Sequence, residues 1–372
     1  MVLLVVEALL VTSTPAVAGP GQTQLQRDLD ALRELGITGA LARLETTEGV
    51  QTARSGVAEL DTARPVPGNP LLRAGSVTKT FVATVVLQLA AEGRLSLSDP
   101  VERWLPGVVA GNGNDGRRVT VRQLLQQTSG LYDYAYDIYP TLSTPEDYRR
   151  ERWRVAHPDE LIALAMRHAP ADQVWAYSNT NYVLADMSIN SVTGHDWTTE
   201  VREQIIAPLR LRRTTMPGTW PFLPSPHAHN YQQWTSGGPL VDTTIAVRAL
   251  DSGADGSIIS TAEDLNTFIT ALVGGRLLPA AQLADMQILV DTPPDPRGHT
   301  GYGLGLYYHP LPCGGGSWTH GGHGLGYNVE VTATDDGATR LTVAEFSRSF
   351  DPATEDARAA ARRTLIERAM CD

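Results

Sequence analysis

The single lysine of this chain, Lys79, lies three residues after a serine, Ser76. It is the only lysine among 30 basic residues, and the other 29 are arginines. A lysine amine can act as a base once burial lowers its pKa, which a guanidinium cannot do. A serine hydroxyl beside such a base can attack a carbonyl carbon. The pair predicts a serine nucleophile with a lysine base. The alternative is that Lys79 has no catalytic role and is the one lysine that remains in a chain whose composition prefers arginine.

These two residues begin a run of apolar residues at helical spacing. The run extends from Phe81 to Leu89, and Gly93 is a typical residue just beyond the end of a helix. Residues three apart in a helix lie on one face, and the N-terminal end of a helix favours negative charge. We therefore expect a buried helix that begins at Ser76 and presents the Ser76 and Lys79 side chains together.

Strand patterns near both ends of the chain predict the sheet that supports this helix. Residues 39–60 alternate apolar and polar side chains around one turn, and residues 327–346 alternate around another. A long helix capped by Asp351 and Pro352 follows, and the middle of the chain shows helical spacing. The predicted class is α+β, with an antiparallel sheet flanked by helices and a mostly helical second subdomain.

The domain organisation follows from these patterns. We expect the sheet-containing subdomain at residues 19–75 and 255–372, the helical subdomain at residues 76–254, and the active site between them. Residues 1–18 are apolar and end in Ala-Val-Ala, as a cleaved signal peptide does, although Glu7 interrupts them and no basic residue precedes them. No later stretch is long and apolar enough to span a bilayer. The prediction is a secreted protein.

Composition and cysteine count narrow the possible partners. The formal net charge is −11 and the isoelectric point is near 5.3, so the chain lacks the basic surface that binds nucleic acid.

Cys313 and Cys371 match no redox or metal motif, and the histidines have no ligand partners at metal spacing. In an exported chain the two cysteines predict one disulfide, and the alternative is two buried free thiols. We expect no metal and no cofactor.

Six sequence blocks resemble the serine β-lactamase and penicillin-binding DD-peptidase superfamily. They occur in the family order and extend over essentially the whole chain after about residue 25. The blocks are Gly75-Ser-Val-Thr-Lys79, Leu124-Leu-Gln-Gln-Thr-Ser-Gly-Leu131, Tyr177-Ser-Asn-Thr-Asn-Tyr182, Ser257-Ile-Ile-Ser-Thr-Ala-Glu-Asp-Leu265, Gly301-Tyr-Gly-Leu-Gly305 and His320-Gly-Gly322. Within the superfamily, the chain looks most similar to the class C low-molecular-weight D-alanyl-D-alanine carboxypeptidases of the Streptomyces type.

The resemblance implies a catalytic role for each of five residues. Ser76 would be the acylated nucleophile, and Lys79 would be the group that helps to deprotonate it. Tyr177 would be a proton shuttle, acting as base in acylation and as acid toward the leaving group. Asn179 would donate to the substrate amide and to Lys79, and His320 would begin the third family motif, on a strand edge that pairs with the substrate.

The same resemblance implies an oxyanion hole and a binding surface. Backbone N–H groups of Ser76 and His323 would hold the oxyanion. The small residues Gly321 and Gly322 would let a substrate backbone approach the strand closely. Two aromatic residues are expected to line the acyl pocket: Trp234 and Tyr307.

One departure from the family pattern concerns the carboxylate of the substrate. Counted back from Cys313, the arginine that binds this carboxylate in the family falls at Tyr307. Gly321 and His323 stand where the family has threonines. The sequence therefore predicts more activity on esters, or on amides without a terminal carboxylate, than on D-alanyl-D-alanine peptides.

The predicted function is that of a secreted, cofactor-free serine acyl hydrolase that forms an acyl-enzyme on Ser76, related to D-alanyl-D-alanine carboxypeptidases and β-lactamases. Two alternatives stay open. One is an esterase or a D-stereospecific aminopeptidase or amidase on the same scaffold, and the other is a protein that binds β-lactams or peptidoglycan without turnover. The expected partner is a small-molecule or peptide substrate, such as a peptidoglycan stem peptide or a β-lactam. We expect a monomer.

Overall fold

The computed structural model describes residues 23–171 and 175–372, so the predicted signal peptide at residues 1–18 lies outside the described residues. The α-helices are α1 (Gln24–Glu34), α2 (Thr78–Ala91), α3 (Val101–Trp104), α4 (Val121–Leu125), α5 (Ala135–Ile138), α6 (Pro145–Glu151), α7 (Pro158–Ala165), α8 (Thr180–Thr193), α9 (Trp197–Val201), α10 (Ala207–Leu209), α11 (Ala262–Val273), α12 (Ala280–Met286) and α13 (Pro352–Cys371). The strands are β1 (Gly39–Thr46), β2 (Gly49–Gly56), β3 (Leu72–Arg73), β4 (Ala110–Gly111), β5 (Asn114–Asp115), β6 (Tyr231–Gln233), β7 (Leu240–Asp242), β8 (Ile259–Ser260), β9 (Val290–Asp291), β10 (Gly301–Tyr302), β11 (Tyr307–Pro310), β12 (Gly316–Gly324), β13 (Tyr327–Thr334), β14 (Arg340–Glu345) and β15 (Ser347–Ser349).

Strands from both ends of the described chain form one eight-stranded sheet. The strand order is β2-β1-β14-β13-β12-β11-β10-β9, and every neighbouring pair is antiparallel. The N-terminal hairpin joins the C-terminal strands through β1 and β14, where Ala40 lies opposite Glu345. The predicted α+β class, with an antiparallel sheet flanked by helices, is confirmed.

Alternation along β1 separates the two faces of this sheet. Ala40, Ala42 and Leu44 pack in an apolar cluster with residues of α1 and α13. Leu41 points to the opposite face and packs in the cluster that contains residues of α2 and α11. Successive side chains of a strand alternate between faces, so one strand contributes to both layers. The sheet therefore lies between the two terminal helices on one side and the central helix α2 on the other.

The central helix α2 begins two residues later than expected. Gly75–Val77 form a 3₁₀ turn, and the α-helix begins at Thr78. Gly75 has a φ of +50°, a left-handed conformation that glycine adopts without steric strain. The chain therefore turns sharply before the helix, and Ser76 lies in this turn at the helix N-terminus. The helix itself is buried on nearly all sides, which fits its continuous apolar composition.

Two kinds of feature are missing from residues 23–171 and 175–372. No helix there combines the length and the apolar composition needed to cross a membrane. No group of three or more His, Cys, Asp or Glu side chains there is arranged to hold a metal ion.

The cysteines form a disulfide that joins the end of α13 to the loop after β11. Cys313 and Cys371 are bonded, with their Cα atoms 5.7 Å apart and a sequence separation of 58. Replacing both with serine is expected to lower the free energy of unfolding by about 4 kcal/mol, because the unfolded chain regains the entropy of an open loop. Urea unfolding measures the change, and reduced wild-type protein is the control. An unchanged free energy of unfolding would show that this bond contributes nothing.

Candidate active site

Ser76 and Lys79 are in contact at the start of α2. The Lys79 Nζ atom donates a hydrogen bond to Ser76 Oγ over 3.0 Å. The spacing of three residues brings them together, because one turn of helix separates the two side chains. The lysine is fully buried, whereas the serine is partly exposed. The hydroxyl can therefore meet a substrate while the amine behind it is shielded from water.

The Lys79 amine makes two further hydrogen bonds that hold it against the serine. Nζ donates to Asn179 Oδ1 over 2.7 Å, the reverse of the direction that the resemblance implies, and to the backbone carbonyl of Asp255 over 2.6 Å. An ammonium has three protons, so these three acceptors satisfy it. Burial lowers the pKa of Lys79 to about 8, and the negative charges of Asp255 and Asp133 oppose this shift. A substantial fraction of the amine is therefore neutral at mildly alkaline pH.

Asp133 is a site residue that the sequence analysis missed. Asn179 Nδ2 donates to its two carboxylate oxygens over 3.1 and 3.3 Å. This contact turns Asn179 Oδ1 toward Lys79, because the amide nitrogen faces the carboxylate. Burial raises the pKa of Asp133 to about 6. The available signal was its position two residues after the Leu124–Leu131 block.

Tyr177 lies on the other side of the lysine. The Lys79 Nζ atom is 5.0 Å from the centre of the Tyr177 ring, and Tyr177 lines both cavities beside Ser76. Burial raises the pKa of Tyr177 well above its ordinary value of about 10, and the Ser76 contact only partly opposes this. The phenol is therefore protonated at neutral pH and can donate a proton.

His320 lies in the same site with both ring nitrogens engaged. Nδ1 donates to the backbone carbonyl of Gly321 over 2.7 Å, so Nε2 accepts from the Tyr302 hydroxyl over 3.2 Å. Burial lowers the pKa of His320 to about 3, which keeps the imidazole neutral. The ring centre is 6.5 Å from that of Tyr177. This bonding allows His320 to shape the strand edge and leaves it no free nitrogen for proton transfer.

The end of β12 packs directly on the turn that carries Ser76. A Cβ atom added to Gly322 would lie 1.9 Å from the Ala74 carbonyl oxygen and 2.9 Å from the Ser76 backbone nitrogen. A Cβ atom added to Gly75 would lie 2.9 Å from the backbone nitrogen of His323. Only glycines allow this approach, which packs the His323 backbone nitrogen against the turn that contains the Ser76 backbone nitrogen. Such a pair of N–H donors can stabilise an oxyanion.

The two glycines of this strand give a matched test of that packing. Gly322→Ala is expected to lower the free energy of unfolding by about 2 kcal/mol, because its methyl group would collide with backbone atoms. Gly321→Ala is expected to stay within about 0.5 kcal/mol of wild type, because its nearest neighbours would lie 3.5 and 3.6 Å away. Urea unfolding of both variants measures the difference. Equal stabilities would contradict the close packing of β12 on the Ser76 turn.

Ser76 separates two cavities of about 230 and 240 Å³. Both cavities are lined by Ser76, Tyr177 and His323. The first, here called the arginine cavity, is further defined by Trp175, Asp295, Arg297, Tyr307 and His320. The second, here called the acidic cavity, is further defined by Asp133, Tyr139, Asn179, Asp251, Asp255 and Tyr327. A substrate whose scissile bond meets Ser76 can therefore extend to both sides.

Arg297 places an arginine at the site, although the family's arginine position holds Tyr307. It lies in the loop between β9 and β10, and its guanidinium carbon is 5.7 Å from the centre of the Tyr307 ring. Tyr307 itself lines the arginine cavity. The Arg297 guanidinium forms an ion pair with Asp295 over 3.2 Å, which offsets part of its charge. Counting along the strand could not find it, because a loop delivers it to the cavity.

Trp234 is not where the sequence analysis expected it. Its indole nitrogen donates to the backbone carbonyl of Leu142 over 2.8 Å, and its ring packs near Tyr148 and Phe350. Neither cavity beside Ser76 has it among its described lining residues. The backbone acceptor at Leu142 holds the indole in the helical layer. Trp234 therefore does not line an acyl pocket in this structure.

The family model described as Beta-lactamase matches residues 25–368, and the chain belongs to this family. Among solved structures, a D-stereospecific amidohydrolase from Streptomyces sp. is similar, with a TM-score of 0.83 and 39% identity over 93% of this chain and 98% of that one. A D-amino acid amidase from Ochrobactrum anthropi SV3, complexed with L-phenylalanine amide, is also similar. Its TM-score is 0.78, and it is 25% identical over 92% of this chain and 96% of that one. Penicillin-binding protein 4 of Amycolatopsis lactamdurans is 28% identical over 271 residues, which are 70% of this chain and 68% of that one.

Proposed function

We propose that this protein is a serine amidohydrolase that cleaves amides of D-amino acids through an acyl-enzyme on Ser76. The observation that carries the proposal is the contact of 3.0 Å between Lys79 Nζ and Ser76 Oγ, with the pKa of the amine lowered to about 8. Such an amine can take the serine proton near neutral pH. The choice of D-amino acid amides is supported by the 39% identity to a D-stereospecific amidohydrolase.

The acylation step uses Lys79 as the base. The neutral amine accepts the Ser76 proton while Oγ bonds to the substrate carbonyl carbon. The carbonyl oxygen becomes negative and accepts hydrogen bonds from the Ser76 and His323 backbone N–H groups, which stabilise it. Tyr177 is less suited to this role than the family pattern implies, because burial keeps its phenol protonated.

The same groups then release the amine and the acid. The Tyr177 phenol donates its proton to the leaving nitrogen as the carbon–nitrogen bond breaks, and the Lys79 ammonium returns a proton to the phenolate. The Ser76 ester remains. Water then attacks the ester carbonyl and gives a proton to Lys79. The bond between the acyl carbon and Ser76 Oγ breaks, and Lys79 returns that proton to Oγ. The net reaction is amide plus water to carboxylic acid plus amine.

Hydrolysis of D- and L-phenylalanine amide, followed by ammonia release, tests the proposal. The D-enantiomer is expected to react at least about tenfold faster in kcat/KM, as a shaped pocket discriminates substrates. Ser76→Ala is the control and should release no ammonia from either. Equal or faster reaction of the L-enantiomer overturns the stereochemical assignment. Formation of a stable benzylpenicillin adduct without any amide or ester turnover would instead favour a binding protein.

A second candidate is a carboxypeptidase on D-alanyl-D-alanine peptides. It is favoured by Arg297, whose guanidinium could receive a terminal carboxylate in the arginine cavity. The ion pair with Asp295 weakens that attraction, so D-alanine release from an acyl-D-alanyl-D-alanine peptide is expected to be slower than hydrolysis of D-phenylalanine amide. A higher kcat/KM for the peptide would make the carboxypeptidase the leading assignment.

A further inference from the structure

His299 is a buried histidine that packs against a wall residue of the arginine cavity. It lies in the loop between β9 and β10, two residues after Arg297, and its side chain is fully buried. Its ring stacks on the ring of Tyr307, with the two centres 4.4 Å apart and an angle of 23° between the planes. The acylation and hydrolysis steps at Ser76 do not use this imidazole. Its two ring nitrogens therefore face protein groups and not solvent.

Each ring nitrogen of His299 faces a carboxylate. Nδ1 lies 3.2 Å from Asp295 Oδ2, and Nε2 lies 3.4 Å from Glu330 Oε1. An ionised carboxylate only accepts hydrogen bonds, so the ring can donate to both of them only as an imidazolium. Burial by itself would raise the pKa of Glu330, but the contact with His299 and the charge of Arg362 lower it to about 2. His299 therefore stabilises the ionised form of its carboxylate neighbours.

The Asp295 carboxylate is shared between His299 and Arg297. Its Oδ2 atom is 3.2 Å from His299 Nδ1 and also 3.2 Å from Arg297 Nη2. Its Oδ1 atom accepts a hydrogen bond from the Arg297 backbone N–H over 2.8 Å. A carboxylate oxygen that two positive or proton-donating groups share neutralises each of them less than it would neutralise one alone. His299 therefore limits how far Asp295 neutralises the Arg297 guanidinium.

Glu330 anchors His299 to the sheet from the other side. It lies in β13 opposite Gly321 of β12, and it is 4% exposed. Its Oε2 atom accepts a hydrogen bond from Arg362 Nε of α13 over 3.2 Å. Buried ionic groups persist only where each has such a partner. The position of His299 beside Asp295 is therefore fixed by contacts that extend to the C-terminal helix.

The Arg297 guanidinium is within reach of a ligand beside Ser76. A Cβ atom added to Gly321 would lie 3.6 Å from Arg297 Nη1, so the guanidinium lies against β12. Arg297 lines the arginine cavity, and its side chain is 31% exposed. A substrate carboxylate in this cavity is attracted by the positive charge that Asp295 leaves uncompensated. The strength of that attraction therefore depends on the group that shares Asp295 with Arg297.

We propose that His299 is a positioning residue that determines specificity: it holds the Asp295 carboxylate away from full pairing with Arg297 and so leaves the guanidinium able to bind a substrate carboxylate. The inference rests on the proposed Ser76 hydrolase function, because it concerns substrates of the same site. His299 is not among the described lining residues of either cavity, so its effect passes through Asp295.

The kcat/KM for an acyl-D-alanyl-D-alanine peptide divided by that for D-phenylalanine amide, here called the peptide ratio, tests this role. Only the peptide has a terminal carboxylate. His299→Gln is expected to lower the peptide ratio about tenfold, because Asp295 then pairs fully with Arg297. Asp295→Asn keeps an acceptor oxygen for the Arg297 backbone N–H and is expected to raise the ratio about tenfold. A ratio that falls or stays level in Asp295→Asn overturns the inference.

The double variant separates positioning from a structural role. In the Asp295→Asn protein no carboxylate competes for Arg297, so adding His299→Gln is expected to leave the peptide ratio unchanged. A structural defect would lower the activity on both substrates alike. Thermal unfolding shows whether His299→Gln is folded, and His299→Asn takes its place if it is not. An unchanged ratio in the single His299 variant overturns the inference.

His309→Gln is the matched control. His309 is also a buried histidine, and its ring centre is 6.3 Å from that of His299. Its carboxylate neighbour is Glu367 of α13, with Nε2 and Oε1 3.3 Å apart. The variant is therefore expected to keep the wild-type peptide ratio even if it lowers the free energy of unfolding. A ratio that falls as far in His309→Gln as in His299→Gln overturns the inference.

A binding measurement distinguishes failure of this inference from failure of the proposed function. Calorimetry of the Ser76→Ala protein with the acyl-D-alanyl-D-alanine peptide, with and without His299→Gln, needs no turnover. Weaker binding to the protein with both substitutions supports the inference, and equal or tighter binding overturns it. If wild type hydrolyses neither substrate while this difference in binding persists, the proposed function fails and the role of His299 stands.

Discussion

Ser76→Ala is expected to lower kcat for D-phenylalanine amide by about 10⁴-fold or more. The variant keeps the oxyanion donors and both cavities but has no atom that can form the ester. Intact-mass spectrometry after brief exposure to benzylpenicillin gives an independent measurement. Wild type is expected to gain the mass of one penicilloyl group, and Ser76→Ala is expected to gain none.

A buried serine outside both cavities provides the control for this substitution. Ser317 is fully buried in β12, and its hydroxyl has no hydrogen-bond partner in the described part of the chain. Ser317→Ala removes the same oxygen from a residue that lines neither cavity and is expected to keep both turnover and labelling. Labelling of Ser76→Ala, or loss of labelling in Ser317→Ala, would contradict Ser76 as the acylated residue.

Lys79→Arg is expected to lower kcat/KM by about 10²- to 10⁴-fold, the range that a proton-transfer group contributes. The substitution keeps a positive charge but removes the base, because a guanidinium does not lose its proton in proteins. It also places a larger head group where Ser76, Asn179 and the Asp255 carbonyl are spaced to receive an ammonium. Steady-state hydrolysis of D-phenylalanine amide measures the loss, and thermal unfolding shows whether the variant is folded.

The pH dependence of wild type tests the same role without a substitution. Lys79 acts as a base only when it is neutral, and its pKa is lowered to about 8. Therefore kcat/KM is expected to be level above that pH and to fall about tenfold per pH unit below it. Lys79→Ala should lose this ionisation and recover part of its activity when methylamine is added. A rate that is constant from pH 6 to pH 9 would contradict the proposed base.

Much of the fold could be predicted because its signals are local. Alternation of apolar and polar residues predicted the hairpins near both ends of the chain, and the observed strands β13 and β14 lie within the predicted residues 327–346. The start of α2 was misplaced by two residues, because a sequence does not show that Gly75 turns with a positive φ. Trp234 was assigned to a pocket from its residue type alone, whereas its position depends on an acceptor at Leu142, far from it in sequence.

The same difference between local and long-range signals applies to the site residues. The Ser76–Lys79 pair could be found because its members are three residues apart on one stretch of chain. Asp133 and Asp255 could not be connected to Lys79, because they lie 54 and 176 residues from it in sequence and meet it only in the folded chain. Arg297 was absent from the expected strand position and reaches the cavity from a loop instead.

The sequence by itself determined the residue types and the short-range spacing: one lysine one helical turn after a serine, followed by an apolar helix, with alternating strands at both ends. The tertiary structure alone decided the charge state of that lysine and the chemistry of the two cavities. The physical reason is that a pKa depends on burial and on nearby charges, and in this protein both come from chain segments distant in sequence. Lys79 becomes a base near neutral pH only because the fold surrounds it.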